Sequence, residues 1–365
     1  MRDDINDGAS GLSDLARADC RYAISGHDHL SPAETLRRVG ERAVGADRDF
    51  YGTGATLNRF ERHIAEFLGK EAAVFMPSGT MAQQILLRIV ADGTGNRAFA
   101  AHPTTHVVLH EQNGFAALHQ MQFVPVGPAD APLTIAHVEA LPDPIATLLL
   151  ELPQREIGST LPTWDELAAI VGLAKERGWH LHLDGARLWE CGPYYARPYT
   201  EIASLFDTVY VSFYKGLGGV AGAMLLGSRA LIDEARIWQR RQGGNLVSLY
   251  PYALSAEQAF DDRLDRMAAY RDAAQRAAAT LRGYPQVAVR WAPPPTNTFH
   301  AMIRGDRDAL RQRSQRLARD HSIWAFKDLA PTVTAGVFKW EIYAGDATLA
   351  LGEKRLALAL SSLFT

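Results

Sequence analysis

A chain of 365 residues that is 47% hydrophobic can bury a sizeable core, and its length suits two domains or one large one. A formal net charge of -3 gives no reason to expect nucleic acid or an anionic membrane as partner. Two distant cysteines, Cys20 and Cys191, fit neither a disulfide framework nor a CxxC pair, which favours a reducing compartment.

In chain order, the acidic opening "MRDDINDGASGLSDLARADC" lacks the apolar segment of a secretory signal, and no stretch is apolar for long enough to cross a bilayer. A soluble cytoplasmic protein is expected, with an N-terminal arm over 1–30 and a large domain over 31–255. "AAVFM" is predicted as a strand and "TMAQQILLRIVADG" as the helix after it. "HVVLH" and "MQFVPV" are predicted strands. "TLLLEL" precedes the helix "TWDELAAIVGLAKERG", where Thr163 and Glu166 have the spacing of a capping box. "WHLHLD", "TVYVSF" and "AGAMLLG" follow as strands. Strand and helix in alternation imply a mainly parallel sheet with helices on both faces, an α/β fold. From "LYPYALSAEQAF" the character changes to a long Ala- and Arg-rich helical run. "QVAVR", "TFHAMIR", the basic helix "RDALRQRSQRLARDH", "FKWEIY" and a last helix complete a smaller α+β domain over 256–365, with "WAPPPTNT" as a loop inside it.

Ligands of parallel sheets sit beyond the carboxyl ends of the strands, and four such ends carry polar residues. Asp184 ends the strand in "HLHLDGARLWE"; alone it reads equally as a turn carboxylate before Gly185. Lys215 precedes "GLGG" and is either a solvated loop amine or, with a lowered pKa, a nucleophile towards a carbonyl. "MPSGTMAQQ" sets Ser78, Gly79 and Thr80 between a strand and a helix. The free N–H groups of a helix start suit a phosphate, although a simple cap also explains Ser78 or Thr80. His106, at the predicted strand "HVVLH", offers a flat face. Together these match pyridoxal 5′-phosphate, which needs a lysine for its aldehyde, a carboxylate for its ring nitrogen, a phosphate cradle and a neighbour for its ring. "HDH" (His27, Asp28, His29) places no further ligand by spacing, so no metal is expected.

The blocks "FYGTGATLNRFERHIAEFLGKEAAVFMPSGTMA", "HVVLHEQNGFAAL", "STLPTWDELAAIVGLAKERGWHLHLDGARLWE" and "YKGLGGVAGAMLLGS" occur in that order. They resemble the threonine aldolase and β-eliminating lyase group of fold-type-I pyridoxal-phosphate enzymes. The resemblance implies that Lys215 bonds the cofactor, Asp184 faces the ring nitrogen, and His106 stacks on the ring. It also implies Gly79 and Thr80 at the phosphate, with Ser78 beside them. Arg187 and Ser25 correspond to holders of the substrate carboxylate. Lys339 stands where the family has an arginine and loses its bidentate geometry. Tyr214 precedes the lysine where the family has Ser or Thr, so Ser212, further back, is the expected cofactor contact of this segment. "ELPQREIGST" replaces the family's Asn- and His-bearing segment, and no second histidine precedes it. The implied partners are a small amino acid and further copies of the chain, as a homodimer or homotetramer with the site at the subunit interface. The implied activity is retro-aldol cleavage of a β-hydroxy-α-amino acid to glycine and an aldehyde. The alternatives are β-elimination to pyruvate and ammonia, or cofactor binding without turnover.

Overall fold

The computed structural model describes residues 15–365, so the first fourteen residues of the expected arm lie outside the described residues. After the short strand β1 (Tyr22–Ala23), seven strands build the central sheet: β2 (Ala72–Met76), β3 (Ala98–Ala101), β4 (Gln122–Pro125), β5 (Thr147–Glu151), β6 (His180–Gly185), β7 (Thr208–Ser212) and β8 (Ala223–Gly227). Their order is β2-β8-β7-β6-β5-β3-β4. The pairings from β7 across to β4 are parallel, while β8 runs antiparallel to both β7 and β2. Every residue of β7 and β8 is buried. That is the signature of strands covered on both faces, and it explains their unbroken apolar runs.

The register of β8 matters for the site. Met76 of β2 and Ser212 of β7 both pair with Ala223. The outgoing ends of β2 and β7 are therefore level, one on each side of β8.

Helix starts follow local chemistry. The Thr163 hydroxyl accepts the Glu166 N–H (3.2 Å) and starts the helix Trp164–Glu176, as predicted. The Glu166 carboxylate does not return the bond. It accepts the Ile135 N–H instead and ties this helix to the short helix Ile135–Glu139. The long Ala- and Arg-rich run is divided into Tyr250–Arg263, a single 3₁₀ turn Leu264–Arg266, and Met267–Leu281.

The second sheet is antiparallel. It contains β9 (Val287–Val289), β10 (Thr298–Arg304), β12 (Ala330–Pro331) and β13 (Val337–Tyr343), in the order β12-β13-β10-β9. Between them, β11 (Ile323–Trp324) pairs in parallel with β1 and brings the N-terminal segment onto this half. Ser25 extends the contact: its hydroxyl bonds to the Tyr343 carbonyl and accepts the Tyr343 N–H, each at 3.0 Å.

One expectation is corrected. "HVVLH" is not a strand; His106–Leu109 is a short helix starting at Thr105, whose carbonyl accepts the N–H groups of Val108 and Leu109. The preceding strand is β3, "AFAA". Val107 is fully buried in a cluster with Phe99, Ala101 and Phe115. That packing outweighs the β preference of two valines, a preference that mostly reflects fit to a half-buried sheet.

Candidate active site

Three sheet neighbours form one row. Glu151 pairs with Asp184, and Asp184 with Tyr210. Residues directly opposite in register project to the same face, so two carboxyl groups and a phenol are brought together at the outgoing ends of β5, β6 and β7. Asp184 is 2% exposed, and its Oδ1 accepts the Ala186 N–H at 3.0 Å. Burial raises its pKa, while the charge of Lys215 pulls it down. Burial and the charge of Asp184 push Glu151 up to about 7. Glu151 Oε2 has no hydrogen-bond partner among the described residues.

Lys215 lies three residues beyond β7. Loss of hydration lowers its pKa, and Asp184 opposes the shift. A half-buried amine thus interacts with a buried acid. The glycines after it answer to geometry. Gly218 adopts φ +78°, in the left-handed region that favours glycine, and its N–H donates to the Lys215 carbonyl (3.1 Å). A Cβ on Gly216 would meet Glu190 Oε1 at 2.5 Å, and one on Gly219 would meet the Phe213 carbonyl oxygen at 2.8 Å. The lysine loop is folded back tightly on itself and on Glu190.

The segment after β2 begins the 16-residue helix Gly79–Thr94. Ser78 occupies the N-cap position, yet its side chain makes no cap bond. The ordinary capping role is therefore unfilled, and the hydroxyl and the first N–H groups remain free for an anion. A Cβ on Gly79 would meet Tyr210 Oη at 1.9 Å. Only glycine lets this helix start sit against the row of Tyr210, Asp184 and Glu151. His106 is half-buried and its Nδ1 lies 3.1 Å from Glu111 Oε1. Glu111 in turn accepts from Gln84 of the same helix (3.1 Å). This chain of contacts fixes the imidazole orientation, and the charge of His106 acts on Asp184.

A cavity of about 920 Å³ opens on Lys215. Of the sequence-predicted residues, Ser25 and Lys339 share its lining with Lys215. Ser78, Gly79, Thr80, His106, Asp184 and Arg187 are not in that lining. Gly79 meets Tyr210 of the Asp184 row, and two of the six act on Lys215 through their charges. Arg187 is one of those charges. Its Nε is 3.8 Å from Glu190 Oε1, beyond hydrogen-bond range, so its donors stay available. Ser212 is buried and spends its hydroxyl on the Ala186 carbonyl (2.7 Å), while its own carbonyl accepts from the Trp189 ring (2.9 Å). It braces the Asp184 and Lys215 loops against each other.

Several site residues escaped the sequence reading: Glu111, Glu151, Glu190, Tyr210, and the cavity residues His110, Arg155, Glu156 and Glu341. Glu151 has a usable signal, since it ends the strand beside Asp184, whereas Tyr210 sits in the middle of β7. Glu190 had none, because only the folded loop brings it to Gly216 and Thr298.

Burial pushes Glu190 up to about 7, with Arg187 and the Thr298 hydroxyl opposing. Its ordinary value is 4.5, so the folded protein holds this proton more tightly than the unfolded chain. The contribution to stability is complete below the ordinary value and is lost as pH rises through about 7. A displacement of this size is worth on the order of 3 kcal/mol. Glu190→Gln is expected to flatten the decline in urea stability between about pH 5 and about pH 8. An identical decline in the variant would show that Glu190 is not its source.

Comparison with known proteins follows the same lines. A family model described as Beta-eliminating lyase matches residues 31–304. A solved structure from Listeria monocytogenes, provisionally described as an L-allo-threonine aldolase, is 40% identical, with 95% of this chain and 96% of that chain covered and a TM-score of 0.91. A structure from Exiguobacterium, provisionally described as an aromatic amino acid beta-eliminating lyase/threonine aldolase, is 42% identical over 95% of this chain and 98% of that one, with a TM-score of 0.90. A low specificity L-threonine aldolase of Escherichia coli is 32% identical over 204 residues, which is 54% of this chain and 60% of that protein. Against a probable low-specificity L-threonine aldolase of Arabidopsis thaliana the chain spans 63% of the relative's length at 30% identity.

Proposed function

We propose that this chain, which belongs to the beta-eliminating lyase family, is a pyridoxal-phosphate-dependent aldolase cleaving β-hydroxy-α-amino acids to glycine and an aldehyde. Its architecture is fold type I of that enzyme class. The observation that carries the proposal is a half-buried amine of lowered pKa, Lys215, under the charge of the buried acid Asp184 and level with an uncapped helix start.

The residues present fit the cofactor. Lys215 would hold its aldehyde, Asp184 its ring nitrogen, His106 its ring face, and Ser78, Gly79 and Thr80 its phosphate. When bound, pyridoxal phosphate supplies an aldehyde for the substrate amine and a ring that accepts an electron pair. Lys215 contributes an amine whose neutral form is favoured by burial, as a nucleophile at neutral pH requires. Asp184 would stabilise a proton on the ring nitrogen through its negative charge. Arg187 pairs its planar fork with the substrate carboxylate, which fixes the bond at Cα that can break. Lys339 adds a point charge from the cavity wall, while Ser25, also in that wall, already has its hydroxyl on the Tyr343 backbone.

We propose further that the chain works as a homodimer or homotetramer in the cytoplasm. Phe50 and Tyr51 are exposed and in ring contact, and the Tyr51 N–H donates to the carbonyl of Val247, itself exposed. Such an apolar patch supports self-association. Cys20 and Cys191 are both free, which supports a reducing compartment.

The test mixes the purified protein and pyridoxal phosphate with L-threonine or L-allo-threonine and measures acetaldehyde and glycine. Both products are expected from at least one substrate. 2-Oxobutanoate and ammonia without aldehyde would replace this function with β-elimination.

A further inference from the structure

His106 is committed to Glu111, whose side chain is 1% exposed, and its ring lies outside the cavity that holds Lys215. His110, one helical turn further, lines that cavity. The two rings are 5.1 Å apart between centroids and inclined by 46°. His110 Nε2 is 2.9 Å from Glu156 Oε1, and Glu156 also lines the cavity. The same Glu156 Oε1 accepts from Arg155 Nη1 at 2.7 Å, and Glu156 Oε2 lies 3.7 Å from Lys339 Nζ. Arg155 is fixed in turn by Glu341 at 3.0 Å.

An imidazole whose one nitrogen is bonded to a carboxylate has its tautomer set, and its other nitrogen faces outward as a base. Burial works against ionisation at Glu156, but the His110 hydrogen bond and the Arg155 charge outweigh it and lower its pKa. The carboxylate therefore stays an acceptor. Nε2–H points to Glu156, and Nδ1 keeps its lone pair. The His110 side chain is 42% exposed and lines the cavity, so a bound molecule can meet the ring.

We propose that His110, oriented by Glu156, is the group that takes the proton from the β-hydroxyl of the substrate. The proposal rests on the aldol cleavage proposed above. The hydroxyl proton moves to Nδ1, and the O–H electron pair becomes the second bond of the aldehyde C=O. The Cα–Cβ bond breaks and its pair remains with Cα. A proton returned to Cα then gives glycine, so no oxidant or reductant is needed. Glu156 is a positioning residue: it fixes the tautomer and stabilises the imidazolium.

The test uses the full chain with pyridoxal phosphate and three measurements. His110→Phe is expected to lower kcat for aldehyde release by about 10²-fold or more, the usual contribution of a general base. Its exchange of glycine α-protons for deuterium, which involves no hydroxyl, should stay near wild type. Glu156→Gln is expected to lower kcat about 10-fold with little change in KM. Independently of turnover, long-range proton–nitrogen spectra of histidine-labelled protein should show a single Nε2–H tautomer at His110, and a mixture in Glu156→Gln. Undiminished aldehyde release by His110→Phe overturns the proposal, as does a parallel loss of glycine exchange, which would mark a structural role. A mixed tautomer in the wild type overturns the part given to Glu156. If the wild type releases no aldehyde, the aldolase function itself falls, and this proposal with it.

Discussion

Lys215→Ala is expected to abolish aldehyde release, lowering turnover by about 10³-fold or more, because it removes the group proposed to form the covalent link. The protein should remain folded. Lys215 ends in a cavity and not among packed side chains, and the tight loop around it is made by Gly216, Gly218 and Gly219, which the substitution leaves alone. Borohydride reduction of the wild type with pyridoxal phosphate should leave a pyridoxyl group on the peptide that contains Lys215. The variant should show none there. A melting temperature within a few degrees of wild type, read together with lost activity, would separate chemistry from folding. Turnover that survives the substitution would mean that another amine does the work.

Asp184→Asn is expected to separate function from stability in the opposite sense. The amide oxygen can still accept the Ala186 N–H, so the local geometry survives. What is lost is the negative charge near the ring nitrogen, and kcat should fall by about 10²-fold or more, the scale of removing one preorganised electrostatic contact. Stability should hold or rise. Burial raises the pKa of Asp184, so the charged form is the disfavoured one in the folded state. Its stabilising contribution is complete below the ordinary value of 3.8 and is lost as pH rises above it. A neutral isostere has no such loss, so the cofactor-free variant should melt at or above the wild type at neutral pH. A variant that loses activity and stability together would make Asp184 a structural carboxylate.

Most of the strand–helix alternation could be read from period and punctuation. "AAVFM", "TLLLEL", "WHLHLD", "TVYVSF" and "AGAMLLG" are apolar or alternating runs bounded by turn residues, and each is a strand. "AFAA" was passed over because small residues carry little hydrophobic signal. "HVVLH" was misread because its valines pack as a helix on Phe99 and Phe115. Lys215, Asp184 and Ser78 were legible for one reason: each lies at a strand end, where topology alone says a ligand can sit. Ser212 looked like a cofactor contact, but its hydroxyl is already used by Ala186. Glu190 and the pair His110 and Glu156 could not be found this way. Glu156 is 46 positions from His110 in the chain, and only the folded loops bring them together.

The shared pairing of Met76 and Ser212 with Ala223 makes the sheet a ruler for its ligand. Two interstrand steps, about 10 Å in all, separate the exits of β2 and β7. Rows of backbone hydrogen bonds hold that interval, whatever side chains the strands carry. A ligand must therefore bridge a fixed gap between its anionic tail and its reactive carbon. Substitutions around the cavity can change which amino acid is accepted, but they leave that interval unchanged.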